Sequence, residues 1–338
     1  MKRIACIALA LLALACSPAR TLAQAGETLF EVNVGKYLMG TRVDATVRTP
    51  SVEASKRALV AAFQEMERVE NLLSYHKPDS EISRINREAG RHPVHVSMET
   101  FQILQRSVAY ARRFDGLFDV SIGPLSVRWG FSGDAPIVVP DRAAIDSLRA
   151  LVDYRRIVLN AADTTVAFRT PGMRIDLGGI AKGYAIDRGV AVLREQGMTH
   201  FLLNAGGDIF AAGEKADGQP WRVGVKHPRN TQEVVAAFDA VDIAVATSGD
   251  YERYIDLDGV RYHHILDPRT GYPGTLSRSA TIVAPTAEEA DAMATYLFLI
   301  GPAGAAAGRI DAPFLVIGAD GSLHAGDRLR AYQLETWE

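Results

Sequence analysis

The chain has 338 residues, of which 48% are hydrophobic and 23% are charged, and these ordinary globular values exclude a largely disordered protein. The formal net charge of −3 gives no electrostatic footprint for nucleic-acid binding. The length allows one large domain, or two subdomains, with a substantial hydrophobic core.

The N-terminus has the pattern of a secretory signal peptide. Two basic residues precede an apolar run over residues 4–15, which is too short to span a bilayer as a mature helix. Cleavage before Cys16 would leave a lipidated cysteine, as in bacterial lipoproteins, although the preceding residues match that signal imperfectly. Cleavage after Ala25 would instead release a soluble protein. Both alternatives predict export. Residues 1–25 are the predicted signal peptide, or a lipoprotein leader that ends before Cys16, and residues 26–338 are the predicted mature domain.

Cysteine usage agrees with export. The only two cysteines, Cys6 and Cys16, lie inside the leader or at its edge. The mature domain is therefore predicted to have no disulfide, no cysteine nucleophile and no cysteine-based metal site. Its chemistry must depend on oxygen and nitrogen groups.

The mature chain begins with two strands and a long helix. Residues 29–48 are typical of two strands joined by a turn at Gly40. Residues 51–73 carry an apolar stripe at helical spacing, which predicts an amphipathic helix. A polar segment over residues 74–86 starts as a loop and ends as a short helix, and a further helix with Ser97 as its N-cap follows.

Strands are predicted to dominate the middle of the chain. Residues 114–131 mix aromatic residues and glycines without a single period, which is typical of a loop that lines a site or of a buried irregular connection. A helix opens at Asp141 and reaches Leu151, and residues 133–140 before it are the best candidate for a subdomain boundary. The predicted strands that follow are 156–159, 166–169, 174–177, 201–204, 209–212, 221–226 and 235–246.

The last part of the chain combines a strand, a helix and two closing strands. Residues 261–271 are typical of a strand that runs into a Pro/Gly turn. Thr286 and Glu289 have capping-box spacing, which predicts a helix that continues to Ile300 and stops at Gly301. Because strands and helices mix without regular alternation, the chain is predicted to have an α+β fold with mixed, largely antiparallel sheets and packed helices.

The stretch over residues 173–197 has the pattern of a ligand-binding turn. It starts as a strand, breaks at Gly178 and Gly179, and continues as a helix, so that Asp176 and Lys182 would project between the two elements. Glycines admit close backbone approach, and a helix N-terminus attracts anions, which indicates a seat for a phosphate-bearing ligand. The stretch matches neither a Walker A loop nor the dinucleotide fingerprint. A tight strand-to-helix turn without a ligand is the competing interpretation.

A carboxylate and a hydroxyl occur together on the predicted helix that begins at Thr286. Asp291 and Thr295 are four residues apart and share one helix face, where they are suited to hold Mg²⁺ as hard oxygen ligands. The alternative is a solvated helix face, although the alanines around the pair indicate close packing.

Two other residues are candidates on weaker grounds. His264 could accept a proton from a hydroxyl nucleophile, or it could be structural. Tyr75 could stack on a planar ring, or it could be an amphipathic surface residue.

The order of these features along the chain is more specific than any one of them. The blocks in sequence are Met39-Gly40-Thr41, Ser80-Glu81-Ile82-Ser83-Arg84-Ile85-Asn86, Gly116-Leu117-Phe118-Asp119, Asp176-Leu177-Gly178-Gly179-Ile180-Ala181-Lys182-Gly183, Asn204-Ala205-Gly206-Gly207-Asp208, His264-Ile265-Leu266-Asp267-Pro268-Arg269-Thr270-Gly271 and Asp291-Ala292-Met293-Ala294-Thr295. Over about residues 28–320 this succession closely resembles the ApbE family of FAD:protein FMN transferases. The blocks that begin at Asp176 and His264 are its most specific parts.

The resemblance implies a fold, a reaction and a location. The fold would be an ApbE-like domain, either one unit or two interleaved subdomains, with an FAD cleft between subdomains. The reaction would be the Mg²⁺-dependent transfer of FMN from FAD to a threonine hydroxyl of a target protein, a flavinylated redox protein, with release of AMP. The location would be the periplasmic side of the bacterial inner membrane, with the protein lipid-anchored at Cys16 or soluble in the periplasm.

The resemblance also implies roles for residues. The base would be His264, and Asp291 would be the second catalytic residue. The metal would be held by Asp291, Thr295 and a backbone carbonyl at Gly179. The residues that would contact FAD are Met39, Tyr75, Leu117, Phe118, Asp119, Asp176, Lys182 and His264.

Three other functions are compatible with the same residues. An FAD pyrophosphatase would use water as the nucleophile and yield free FMN and AMP. An exported carrier would bind FAD without chemistry and release no AMP. A periplasmic binding protein for a different nucleotide is disfavoured by the pairing of Asp291 with Thr295.

Overall fold

The computed structural model describes residues 15–16, 20–24, 27–132, 135–215, 218–230 and 232–337. Most of the predicted leader, including residues 1–14 and the alternative cleavage position at Ala25, lies outside these ranges. Within them, no helix has the length and apolar character needed to cross a membrane.

Helices and strands alternate irregularly along the chain. The helices are α1 (Val52–Leu73), α2 (Glu81–Glu88), α3 (Met98–Arg113), α4 (Gly123–Trp129), α5 (Arg142–Arg149), α6 (Ala181–Glu195) and α7 (Ala287–Ala306). The strands are β1 (Ala15–Cys16), β2 (Arg20–Gln24), β3 (Glu27–Leu38), β4 (Thr41–Thr49), β5 (Val94–His95), β6 (Ile157–Asn160), β7 (Thr165–Phe168), β8 (His200–Ala205), β9 (Asp208–Ala212), β10 (Trp221–Lys226), β11 (Val234–Ala240), β12 (Ile243–Gly249), β13 (Tyr254–Leu257), β14 (Val260–His263), β15 (Ser277–Ala284), β16 (Phe314–Gly318), β17 (Leu323–Ala325) and β18 (Glu335–Thr336).

Side-chain caps start the helices where the sequence predicts them. The Ser97 hydroxyl accepts a hydrogen bond from the Thr100 N–H at 3.2 Å, and the Thr286 hydroxyl accepts one from the Glu289 N–H at 3.3 Å. Such caps satisfy N–H groups that have no partner within the helix. The predicted stop at Gly301 is a kink, because this residue has a φ of +64°, and α7 resumes beyond it to Ala306.

One large antiparallel sheet extends through the molecule. Its strand order is β1-β3-β4-β8-β9-β12-β15-β16-β17, and β2 also pairs with β3. The predicted turn between β3 and β4 is confirmed: Met39 and Gly40 both have positive φ, +53° and +70°, between the paired residues Leu38 and Thr41. Two such residues match the right-handed twist of a tight hairpin.

Both faces of this sheet are covered. Helices α1, α6 and α7 pack on one face, and the sheet β10-β11-β18 packs on the other. Successive residues of β12 contact opposite faces of the sheet. Ala244 and Ala246 belong to the core on the helix side, whereas Val245 packs in the cluster that contains Phe238. This period of two is the geometry of a strand. Smaller sheets, β5-β7-β6 and β13-β14, complete the fold.

Three predicted elements differ in the structure. Residues 235–246 form two strands in different sheets, because Asp242, with a φ of +50°, turns the chain between β11 and β12. Residues 174–177 make only an isolated bridge through Arg174, since the side-chain amide of Asn86 bonds both the N–H and the C=O of Ile175. Residues 114–131 are irregular only in part, because they include α4.

Candidate active site

One cavity of about 800 Å³ collects the candidate residues from distant parts of the chain. It lies where the β3–β4 turn, the loop after α3, the N-terminus of α6 and the middle of α7 meet. The residues assigned to FAD, metal or catalysis by the family resemblance that line it are Met39, Tyr75, Leu117, Phe118, Asp119, Asp176, Gly179, Lys182, His264, Asp291 and Thr295. The structure thus brings every one of them to the same hollow, while their individual roles remain predictions.

The glycine turn before α6 is held in place by Asp176. Its Oδ1 accepts a hydrogen bond from the Gly178 N–H at 2.8 Å, and its Oδ2 accepts one from the Ser132 hydroxyl at 2.6 Å. The backbone N–H of Asp176 donates to the Val120 carbonyl at 2.8 Å. These bonds take the place of the predicted strand pairing and fix the chain at the cavity wall.

Gly179 brings the backbone of this turn against α7. A Cβ added at this position would lie 3.1 Å from Thr295 Oγ1 and 3.2 Å from Phe118 Cε2. Any larger residue would therefore have to displace the threonine hydroxyl or the phenylalanine ring. The close approach places the peptide unit of Gly179 beside the polar face of α7.

The N-terminus of α6 points at Asp291. The Gly183 N–H donates to Asp291 Oδ2 at 3.0 Å. Gly183 also has no room for a side chain, because a Cβ there would collide with the Ala287 carbonyl of α7. The two helices can pack this closely only with glycine at this position, and the packing aims a helix N-terminus at a buried carboxylate.

Lys182 is influenced by two carboxylates. Its Nζ is 2.9 Å from Oδ2 of the buried Asp208, at the start of β9. Burial lowers the pKa of Lys182, but the Asp208 and Asp291 carboxylates outweigh it, so the pKa is raised and the ammonium stays charged. Burial and then the Asp208 charge raise the pKa of Asp291, while Lys182 opposes them.

His264 carries an unsatisfied buried nitrogen. Its Nδ1 has no hydrogen-bond partner within the described residues. Burial, followed by the nearby His263, Arg253 and Lys182, lowers the pKa of His264 to about 3, so the imidazole is neutral. His263 differs, because its Nε2 bonds the Gly274 carbonyl at 2.8 Å and its ring packs in the core. The two rings thus differ in their surroundings, as expected for neighbouring residues at the end of a strand, which point to opposite faces.

Asp119 lines the cavity, and both of its carboxylate oxygens accept hydrogen bonds from other residues of the protein. Its Oδ1 accepts hydrogen bonds from the N–H and hydroxyl of Ser121 at 2.8 and 2.7 Å, and its Oδ2 accepts one from the Tyr154 N–H at 2.9 Å. Burial raises its pKa, and these bonds oppose that shift. Asp119 therefore shapes the loop that presents Leu117 and Phe118, both of which are buried.

Several residues of the site were not assigned from the sequence. Asp208 ends the block Asn204-Ala205-Gly206-Gly207-Asp208. Its position directly after two glycines, at the start of a strand, was the feature of the sequence that could have identified it as a site residue. Ser132 and Arg253 line the cavity from elsewhere, and the Arg253 Nη1 donates to the Phe131 carbonyl at 3.1 Å. Ser248 lies with its Oγ 3.4 Å from Thr295 Oγ1. No local pattern identified these three, since long-range packing brings them to the cavity.

Comparison with known proteins identifies related sequences. A family model described as the ApbE family matches residues 39–309. The FAD:protein FMN transferase of Klebsiella pneumoniae (strain 342) is 38% identical over 283 residues, which cover 81% of this chain and 87% of that protein. The FAD:protein FMN transferase of Treponema pallidum (strain Nichols) is 35% identical over 288 residues, which cover 80% of this chain and 79% of that protein.

Solved structures share the architecture. The crystal structure of the ApbE protein from Thermotoga maritima MSB8 matches with a TM-score of 0.84 at 33% identity, covering 89% of this chain and 99% of that one. The flavin transferase ApbE from Vibrio cholerae matches with a TM-score of 0.80 at 29% identity, covering 93% of this chain and 100% of that one. The predicted α+β fold with largely antiparallel sheets is thereby confirmed.

Proposed function

The chain belongs to the ApbE family, and we propose that it is an enzyme that transfers FMN from FAD to an acceptor protein. The observation that carries the proposal is the single cavity in which Asp176, from the glycine turn, and Asp291, from α7, face one hollow. Its volume of about 800 Å³ lies in the range of small-molecule and cofactor sites. The names of the curated relatives support the same reaction.

The cavity residues fit a hard divalent cation. Asp291 offers a carboxylate, Thr295 offers a hydroxyl, and the Gly179 peptide lies beside that hydroxyl. The described chain, this cavity included, has no group of three or more His, Cys, Asp or Glu side chains that could hold a metal, so the ligands here would be one carboxylate with hydroxyl and carbonyl oxygens. A few oxygen ligands completed by phosphate and water are what Mg²⁺ prefers. Bound by these residues, Mg²⁺ would neutralise charge on the diphosphate and on the AMP leaving group.

Lys182 and the start of α6 provide positive potential for the diphosphate. The ammonium is charged and held by Asp208, so its position at the cavity wall is fixed before a substrate arrives. Pre-organised charge of this kind costs no reorganisation when negative charge develops on the phosphate oxygens. We assign Lys182 to phosphate binding and Asp208 to its positioning.

His264 supplies the proton acceptor. The ring lines the cavity and its Nδ1 has no partner in the described protein, so this nitrogen is available to take a proton from an incoming threonine hydroxyl. The negative diphosphate of a bound substrate would oppose the cationic neighbours that help to lower the pKa of His264. The threonine oxygen then bonds to the FMN phosphorus, the bond from that phosphorus to the AMP oxygen breaks, and AMP leaves. The cavity walls orient the two reactants, which contributes much of the rate by proximity.

The acceptor and the location complete the proposal. The acceptor is a redox protein that carries a target threonine, and the reaction takes place on the periplasmic side of the inner membrane. The signal-peptide pattern in the sequence supports export. Anchoring through a lipid at Cys16 and release after cleavage at Ala25 remain the two alternatives for the mature N-terminus.

The test is to incubate the purified mature domain with FAD, Mg²⁺ and the apo form of a threonine-flavinylated redox protein. We expect mass spectrometry to find FMN on the threonine and chromatography to find an equal amount of AMP. A Thr→Ala acceptor is the control and should remain unmodified.

The alternatives give different products. AMP and free FMN without any modified acceptor would identify a pyrophosphatase. FAD binding with no AMP would identify a carrier. Either result would refute the proposed transfer.

A further inference from the structure

Arg253 and His264 stand opposite each other at the cavity wall. Arg253 lies directly before β13 and His264 directly after β14, one step beyond the paired residues Tyr254 and His263. The His264 N–H donates to the Arg253 carbonyl at 3.1 Å, and both residues line the cavity. Side chains at opposite positions of an antiparallel pair share a face. The Arg253 cation is accordingly one of the groups that lower the pKa of His264.

Among the described residues, Arg253 is the cavity cation without a carboxylate partner. The lysines and arginines that line the cavity are Lys77, Lys182 and Arg253. Lys182 Nζ is 2.9 Å from Asp208 Oδ2, and Lys77 Nζ is 3.6 Å from Glu70 Oε2. No Asp or Glu in the described part of the chain lies within ion-pair distance of the Arg253 guanidinium. A cation that lacks a counter-charge at a cavity wall attracts an anionic ligand.

The Arg253 guanidinium is held at the wall and keeps further donors for a ligand. Its Nη1 donates to the Phe131 carbonyl at 3.1 Å. Its Nη2 lies against the β3–β4 turn, where a Cβ added at Gly40 would be 3.2 Å away. A guanidinium has five N–H donors in a planar fork that matches phosphate oxygens, and the Phe131 carbonyl accepts from one nitrogen of that fork. Arg253 is therefore positioned before a substrate binds.

The proposed reaction brings a phosphate within reach of Arg253. His264 takes the proton of a hydroxyl that attacks the FMN phosphorus. A hydrogen bond of about 3 Å and an attack distance of about 3–3.5 Å put this phosphorus about 6 Å or less from the imidazole. The Arg253 cation approaches the same imidazole closely enough to lower its pKa. A phosphate presented to His264 is therefore presented to Arg253 as well.

We propose that Arg253 binds the FMN phosphate of the substrate. This inference rests on the proposed function, because it takes FAD as the substrate and His264 as the base. Lys182 and Arg253 would then hold the diphosphate from two parts of the wall, the start of α6 and the base of the β13–β14 hairpin. The phosphate charge would also offset the cation beside the imidazole, so a bound substrate favours transfer of the proton to His264.

The experiment measures the FAD affinity of Arg253→Gln, Arg253→Lys and Arg57→Gln by titration calorimetry with Mg²⁺ present. Glutamine keeps an N–H donor for the Phe131 carbonyl but removes the charge, whereas lysine keeps the charge. We expect Arg253→Gln to weaken FAD binding by about tenfold or more, as the loss of one hydrogen-bonded contact to a charged group warrants, and Arg253→Lys to recover part of that loss. Arg57 is the matched control, because it is an exposed arginine on α1 that does not line the cavity, and its variant should match the wild type.

Two further measurements separate phosphate binding from a purely structural role. Because salt screens charge, raising the salt concentration about tenfold should weaken FAD binding to the wild type more than to Arg253→Gln. The unfolding midpoint of the variant without FAD should match the wild type. A residue that only ties the hairpin to Phe131 would lower this midpoint and leave the salt sensitivity of FAD binding unchanged, and that result would overturn the assignment.

Other outcomes also decide the assignment. Unchanged FAD affinity of Arg253→Gln would overturn it, as would an equal loss in the glutamine and lysine variants. The affinities are measured without an acceptor, so a wild type that binds FAD but modifies no acceptor refutes the proposed transfer, while the variants still decide the role of Arg253. A wild type that binds no FAD refutes both.

Discussion

Asp208→Asn isolates the buried charge that positions Lys182. Asp208 is 1% exposed, and its Oδ2 lies 2.9 Å from Lys182 Nζ. Its Oδ1 accepts a hydrogen bond from the Thr247 N–H at 3.1 Å, which an asparagine oxygen can replace. The substitution thus keeps the shape and one hydrogen bond but removes the negative charge from the ion pair.

The magnitude follows from the distance and the burial. At an effective dielectric constant of about 20, two unit charges separated by 2.9 Å attract each other by about 6 kcal/mol. Desolvation of the carboxylate and its repulsion of Asp291 offset part of this attraction, and breaking a buried pair costs about 3–5 kcal/mol. Lys182 keeps Asp291 as a neighbour and its side chain is 30% exposed, so we expect a loss near the lower end, about 3 kcal/mol.

Calorimetry of the variant without FAD checks this value. For a chain of this size a loss of about 3 kcal/mol lowers the unfolding midpoint by about 4–5 °C. Asp256→Asn is the control, because it breaks a pair with Arg261 whose carboxylate is 54% exposed, and solvent screens such pairs. It should leave the midpoint unchanged within error. An Asp208→Asn midpoint within about 1 °C of the wild type would refute the assignment of this pair as a stabilising anchor of the cavity.

Three other substitutions test the cavity. Asp291→Ala should abolish transfer while circular dichroism stays native, and near-full activity at ordinary Mg²⁺ would reject its assignment to the metal. His264→Ala should lower turnover about 100-fold with FAD still bound, as loss of a general base predicts, and unchanged transfer kinetics would eliminate it as the base. Gly183→Ala should destabilise the protein by about 3 kcal/mol in denaturant unfolding, since its Cβ meets the Ala287 carbonyl; wild-type stability would show that α6 and α7 can separate freely.

Local sequence patterns anticipated the elements whose causes are local. The helices capped by Ser97 and Thr286 and the turn at Gly40 depend on a few neighbouring residues, and the structure has them where they were expected. The strand expected over residues 174–177 depends instead on a partner far away in sequence. There Asn86, 89 residues from Ile175, occupies the backbone groups that a neighbouring strand would use.

The candidate site also combines residues that local sequence motifs identified with residues that only long-range packing brings together. Asp176, His264 and Asp291 lie in motifs that could be recognised as ordered blocks, and the structure places them in one cavity. Arg253 and Ser248 belong to no such block, because only the path of β12 and the β13–β14 hairpin brings them to the wall.

The amino-acid sequence by itself determined the helix starts, the tight turns, the family and the set of polar residues available for chemistry. These follow from short-range periodicity, backbone preferences and the order of motifs. Only the tertiary structure decided that Lys182 is held by Asp208 and that His264 is neutral, with an Nδ1 that has no hydrogen-bond partner in the described part of the chain. Burial and charge-to-charge distance set these properties, and both depend on how segments far apart in the chain pack together.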